Sequence, residues 1–307
     1  MPTEQAAVRV VHKPWGVRDL QPWSSVDGSG SAVGELWFER ANKDAPTPAL
    51  LLKLLFTSEP LSIQVHPDDT YARAMGMPNG KSEAWYILAA QPDAQIGVGL
   101  KHQITPQQLR ASIQNGSIAE LIHWRSVAKG DVIYIPAGTI HAVGAGIVLA
   151  EIQQHSDATF RLFDYGRQRE LHEDNGVAVA HPWPLPTPGN PTPLTVNRTV
   201  LVASKHFVLE RLELLEGASW ALLAEPETWI LTLDGHAAIG LTAAAIGHAI
   251  FIGGGCTSIE VGNNGLSALI AYPASRPIDS LLQSLSKQPG KPANPAAIPV
   301  PQFAGLA

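Results

Sequence analysis

Cysteine is nearly missing from this sequence. Cys256 is the only one among 307 residues, which excludes an internal disulfide framework and a Cys-rich zinc site. Charge is also sparse. Asp, Glu, Lys and Arg make up 16% of the chain, against roughly 25% in an average soluble domain. The net charge is −6 and no long basic run is present, so general nucleic-acid binding is a poor match. No stretch reaches the ~18 uncharged apolar residues of a membrane helix. The nearest, 237–255, is broken by glycines and His248. Residues 1–10 are of mixed polarity and lack the apolar core of a signal peptide. A soluble cytoplasmic protein is expected.

What is present is apolar and rich in turns: 45% hydrophobic residues, 27 glycines and 25 prolines. Short apolar runs bounded by Gly, Pro, Asn or Asp read as strands at 34–39, 51–56, 62–66, 83–89, 94–99, 131–136 and 147–153. This spacing predicts a sandwich or barrel. Thr105 followed by Pro106 opens a helical segment over about 105–124, with Asn115 and Gly116 breaking it in two. A second short helix is expected at 69–75. Prolines crowd 182–195, too many for a sheet interior, and mark a linker. The division that follows is a first domain over 1–181, the linker, a second β-rich block over 196–275, and a tail over 276–307. In that tail 278–285 reads as a short amphipathic helix before a Pro-rich end.

Four segments carry chemistry. On the expected strand 62–66, Ser62, Gln64 and His66 fall on one face. Three polar groups on one side of an apolar strand fit a ligand-binding face, or a face turned to solvent. Lys81 and Glu83, again two apart, enter the next apolar strand, where a surface ion pair would look the same. The run 130–142 joins a Gly-Asp turn, an alternating strand and Pro136-Ala-Gly to His141, an arrangement that resembles cupins. Gln64, His66, Glu83 and His141 together offer two imidazoles, a carboxylate and an amide oxygen, a set suited to a divalent ion such as Zn²⁺. The fourth segment, 151–167, holds Glu151, Arg161 and Arg167. Arginine forks suit phosphate, and with Lys53 and Lys81 they would form a cationic rim. Arg161 paired with Asp157 or Asp164 is the structural alternative.

At 53–69, 136–142, 150–154 and 159–164 the sequence resembles the type I mannose-6-phosphate isomerases in their short bacterial form. The resemblance covers the first 170 residues well and the second block in outline. It implies an all-β tandem cupin (two jelly rolls) with a small helical insertion, and one Zn²⁺ per chain on Gln64, His66, Glu83 and His141. It implies that Arg161 is catalytic, with Glu151 near the sugar, and that Lys53, Ser62 and Lys81 line the pocket. Arg167 stands where many relatives carry a lysine linked to phosphate. The implied reaction interconverts mannose 6-phosphate and fructose 6-phosphate through a cis-enediol(ate). Glu151, a metal-bound water and Lys81 are the candidate bases. The expected partner is a small sugar phosphate, with neither nucleic acid nor membrane, in a monomer or weak homo-oligomer. The alternatives are another metal cupin of the oxygenase type and a non-catalytic phosphosugar-binding cupin. The second block, without a comparable His/Glu cluster, is expected to bind no metal.

Overall fold

The computed structural model describes residues 3–28, 30–184 and 190–285. Part of the Pro-rich linker (185–189) and the tail from 286 lie outside the described residues. The chain is mostly β, and its named strand pairs are antiparallel. A six-stranded sheet runs in the order Ala7–Val17, Val33–Glu39, Leu50–Thr57, Ile147–Gln154, Glu83–Ala90, Val132–Ile135. A five-stranded sheet runs Phe160–Phe163, Ile63–Val65, His141–Val143, Gln95–Leu100, Ile122–Ser126. A ten-stranded sheet is built mainly from the second half of the chain.

Strand parity explains the layering. In Leu50–Thr57 all eight residues are buried. Leu50, Leu52, Leu54 and Phe56 pack with Ala84, Tyr86, Leu88, Ala150 and Ile152 of the same sheet, and against Leu209, Trp229, Leu231, Phe251 and Leu269 of the ten-stranded sheet. Leu55 turns the other way and joins Trp85, Ile87, Ile96, Ile133 and Leu149, between the six- and five-stranded sheets. The six-stranded sheet is therefore a central layer covered on both faces. Its inner strands Leu50–Thr57, Ile147–Gln154 and Glu83–Ala90 read as near-continuous apolar runs, because neither face meets water there. Polar residues in such strands stand out, and Lys53, Glu83 and Glu151 all fall on the face that turns away from the ten-stranded sheet.

Helices cover the far side of the five-stranded sheet. Thr105 caps Pro106–Asn115 through a reciprocal capping box with Gln108, and Gly116 ends it in the left-handed conformation (φ 80°). A short helix, Ile118–Leu121, follows. Leu109, Ile113 and Ile118 pack on Ile63, Val65, Phe160 and Leu162. Among the described residues no helix is long and apolar enough to cross a membrane.

Several expectations need correction. The helix expected at 278–285 is a single 3-10 turn, Asp279–Leu281, followed by a strand, Leu282–Ser284, that pairs with Trp220–Leu222. An open sheet edge outcompetes a helix too short to hold itself together. The expected first domain, 1–181, does not contain all of its own chain: Thr3–Gln5 pairs with Ile250–Ile252 in the ten-stranded sheet. Within the linker, Thr192 and Pro193 pair with Val200 and Thr199 as a sheet edge, where proline is tolerated. Ala7–Val17, not read from the sequence, is likewise an edge strand carrying Pro14 and Gly16. The segment expected to be helical to 124 turns to strand at Ile122.

Candidate active site

Two facing rows of side chains build the site. On the five-stranded sheet, Arg161 lies opposite Gln64, and Gln64 opposite His141. Cross-strand partners project to the same face, so these three share one side, while Ile63 and Val65 point back to the helices. On the six-stranded sheet, Lys53 lies opposite Glu151 and Glu151 opposite Trp85, with Glu83 opposite Gln153 one step along. His66 directly follows its strand, Ile63–Val65, and the chain returns at Gly80 so closely that a Cβ there would lie 2.4 Å from the Asp68 carbonyl carbon. That return delivers Lys81 and Glu83 beside His66.

His66, Glu83 and His141 are buried, and their ligating atoms all lie within 4.8 Å of one another. His66 Nε2 is 3.4 Å from Glu83 Oε2, and His141 Nε2 is 3.4 Å from Glu83 Oε1. Each imidazole uses its other nitrogen on a backbone carbonyl: His66 Nδ1 on Ala158 at 2.8 Å, and His141 Nδ1 on Thr139 at 2.8 Å. A carbonyl only accepts, so both Nδ1 atoms carry the proton and both Nε2 atoms present lone pairs. Burial beside the Lys81 cation holds His66 neutral, with its pKa pushed down to about 3. His66 Nε2 and Glu83 Oε1 have no hydrogen-bond partner. Buried lone pairs without donors are costly, and a divalent cation is what such a set accepts. Gln64 Nε2 lies 3.3 Å from His141 Nε2. With the amide turned over, its oxygen would join the same set.

His66, Glu83 and His141 lie behind the wall of a cavity of about 240 Å³, whose lining residues Gln64, Lys81 and Trp85 touch them. Of the expected site residues, Lys53, Ser62, Gln64, Lys81, Glu151 and Arg161 line it. Lys53 Nζ is 3.3 Å from Glu151 Oε1 and sits 4.1 Å from the Trp37 ring centre. Trp85 Nε1 donates to Glu151 Oε2 at 3.1 Å. Burial, then the neighbouring Glu83 charge, raise the Glu151 pKa, against the pull of Lys81 and Lys53. Lys81 pairs with Glu83 Oε2 at 3.1 Å. Desolvation works against its charge, but Glu83, Glu151 and Asp157 together keep it protonated. Arg161 has a buried Nε without a partner, and its NH1 donates to the Glu170 carbonyl. The alternative pairing of Arg161 with Asp157 or Asp164 is not formed.

Arg167 does not line this cavity. Its guanidinium is held by Asp164, Glu59 and the Pro60 carbonyl, so it braces the loop. Arg169 lines the cavity instead, with Lys13, Trp15, Glu35, Asp157 and Thr159, none of which was expected as a site residue, Asp157 having entered only as a possible partner of Arg161. For Glu35 the signal was present: it is an acid on the same parity as the cavity face of an otherwise buried strand. For Arg169 it was not, because its position depends on the turn that precedes it.

Fold and site define a mostly-β protein with a buried His/Glu/His group, able to hold a metal, behind the wall of a cavity rich in cationic side chains. No family model matches the chain. It is 38% identical over 161 residues to mannose-6-phosphate isomerase ManA of Bacillus subtilis, covering 49% of this chain and 51% of that protein. It is 35% identical over 195 residues to mannose-6-phosphate isomerase of Streptococcus mutans, covering 59% and 60%. The matched stretch thus spans about half to three-fifths of these curated relatives. The fold likeness extends further. The crystal structure of the Bacillus subtilis mannose 6-phosphate isomerase superposes with a TM-score of 0.76 at 23% identity, over 88% of this chain and 99% of that one. The apo enzyme of Salmonella typhimurium gives 0.68 at 14% identity, over 89% and 99%. Over that stretch the chain is similar in sequence to mannose-6-phosphate isomerases, and over most of its length it shares the fold of the two crystal structures.

Proposed function

We propose that this protein interconverts D-mannose 6-phosphate and D-fructose 6-phosphate, with one Zn²⁺ held by Gln64, His66, Glu83 and His141. The observation that carries the reading is the convergence of buried, partnerless ligand atoms of His66 and Glu83 with His141 beside a cavity lined by Lys53, Lys81, Glu151 and Arg161. The donor set is two imidazole nitrogens with oxygen ligands, which suits zinc, and expansion to a fifth ligand would admit a substrate oxygen. Zinc bound there would act as a Lewis acid toward negative charge building on the sugar oxygens.

The chain's own residues account for the rest. Glu151 takes the proton from C2 and returns it to C1, while the O2 hydroxyl proton passes to O1 as the carbonyl moves from C1 to C2. Its raised pKa brings it toward the working range of a base, and Trp85 and Lys53 fix its carboxylate from two sides. Lys81 Nζ, kept charged, donates to the oxygens that gain charge in the enediolate, and Arg161 on the cavity wall orients the sugar. Ser62 offers a neutral hydroxyl at the edge of the cavity. A coupled assay for fructose 6-phosphate formation tests the reading. Turnover should disappear on chelation and return with Zn²⁺. Zinc-loaded protein that binds mannose 6-phosphate without turning it over would be a phosphosugar-binding protein and not an isomerase.

A further inference from the structure

The strand Phe160–Phe163 ends in a tight turn. Arg167 N donates to the Asp164 carbonyl at 3.0 Å, with Tyr165 at φ 53° and Gly166 at φ 82°. Both central residues are left-handed, so the chain doubles back on Asp164. Two guanidinium groups then close on this one buried carboxylate (2% side-chain exposure), from residues three and five positions along. They do so differently. Arg167 spends the rest of its fork on Glu59 and on Pro60, outside the cavity. Arg169 donates from Nε to Asp164 Oδ2 at 2.7 Å and from NH2 to Oδ1 at 2.6 Å. That bidentate grip uses one edge of the guanidinium and fixes its plane. Its NH1 makes no hydrogen bond among the described residues, and the side chain lines the cavity.

Arg161 lines the same cavity and carries a buried Nε with no acceptor. The two guanidinium charges repel, and the nearby Asp164 is already occupied by Arg169 and Arg167. Two like charges that line one cavity are suited to an anion, and a phosphate dianion supplies both the countercharge and the acceptor oxygens.

We infer that Arg169, oriented by Asp164, grips the substrate's phosphate, and that Arg167 is a brace for the turn. Asp164 is a positioning residue: it acts through Arg169. The inference takes its substrate from the isomerase reading above, but the phosphate subsite can be tested without it. Arg169→Gln, Arg169→Lys, Arg167→Gln and Asp164→Asn are compared with the parent protein, each checked for fold by circular dichroism and for metal content. KM and kcat are measured with mannose 6-phosphate, and binding of inorganic phosphate is measured by calorimetry.

Losing a charge-assisted fork should raise both KM and the phosphate Kd about 10- to 100-fold in Arg169→Gln, with kcat within a few-fold of the parent. Arg169→Lys keeps the charge without the fork and should weaken phosphate several-fold. Asp164→Asn should raise KM while leaving the metal in place. The loss at Arg169 should exceed that at Arg167 about tenfold or more. Equal losses at the two arginines, or parent-like phosphate affinity in Arg169→Gln, would overturn the proposal. Should Arg169→Gln fail to fold, parent-like phosphate affinity in Arg169→Lys would do the same. A parent protein that binds phosphate through Arg169 but turns over no mannose 6-phosphate would sink the isomerase reading and leave this inference standing.

Discussion

Replacing Glu83 by Gln isolates the electrostatic part of the site. Glu83 is fully buried, and its Oε2 lies 3.1 Å from Nζ of Lys81, whose side chain is 5% exposed. At that distance and an effective dielectric constant near 20, the attraction is about 5 kcal/mol. Desolvation of the two ions offsets much of this in the intact pair. With Gln in place the offset remains but the attraction is lost, and Lys81 keeps only the more distant Glu151 and Asp157. Breaking a buried pair from one side typically costs about 3–5 kcal/mol. A Gln amide donating to the free His66 Nε2 would return about 1 kcal/mol, leaving a net loss of about 2–4 kcal/mol. For a chain of this size that lowers Tm by roughly 3–6 °C. Removing the cation too, in Lys81→Met/Glu83→Gln, should bring stability back to within about 1 kcal/mol of the parent. The measurement is urea unfolding and calorimetry on the parent, both single variants and the double, all kept metal-free so that ligand linkage does not enter. Metal content, measured separately, should fall in every protein that lacks Glu83. If Glu83→Gln is as stable as the parent, or the double variant no better than that single one, then Glu83 is not what keeps the buried lysine charged.

Glu151→Gln keeps the shape of the site but removes the base and sets an amide NH2 against Lys53 or Trp85, so kcat should fall about 10²- to 10⁴-fold with zinc content unchanged, as elemental analysis would report. Leu54→Ala opens a cavity between the six- and ten-stranded sheets, where Leu54 is fully buried, and should cost about 2–5 kcal/mol. Because that layer is shared, we expect a single calorimetric transition shifted downward, not one split in two. Gly166→Ala places a side chain at φ 82° and should cost about 1–2 kcal/mol while raising KM for mannose 6-phosphate, since the turn aims Arg169. Asp164 also sets a pH dependence. Burial alone would raise its pKa, but Arg169 and then Arg167 outweigh it and hold the carboxyl below its ordinary value. A depressed acid contributes stability above its unfolded pKa and loses it as pH falls through the folded value. The stability gap between the parent and Asp164→Asn should therefore be constant above about pH 5 and shrink below pH 4, which acid titration of unfolding would show.

The sequence by itself determined the strand pattern and much of the chemistry. Short apolar runs between turn residues specified a β protein, because a half- or fully buried strand has no other way to satisfy both its side chains and its backbone. Lys53 in Leu50–Thr57 and Glu83 at the head of Glu83–Ala90 could be read as site residues, since a charge in so apolar a strand must face something polar. Parity put Ser62, Gln64 and His66 together before any fold was known. Only the tertiary structure decided which strand closes on which. Local sequence carries side-chain alternation but not register, so nothing in it could seat Glu151 between Lys53 and Trp85. Nor could it show that Thr3–Gln5 completes a sheet formed some 250 residues later, or that the final short helix would yield to an open edge. The placement of Arg169 at the cavity and of Arg167 outside it belongs to the same class. It rests on a left-handed turn at Tyr165, a conformation that folding around Asp164 imposes and that tyrosine's own preferences would not suggest.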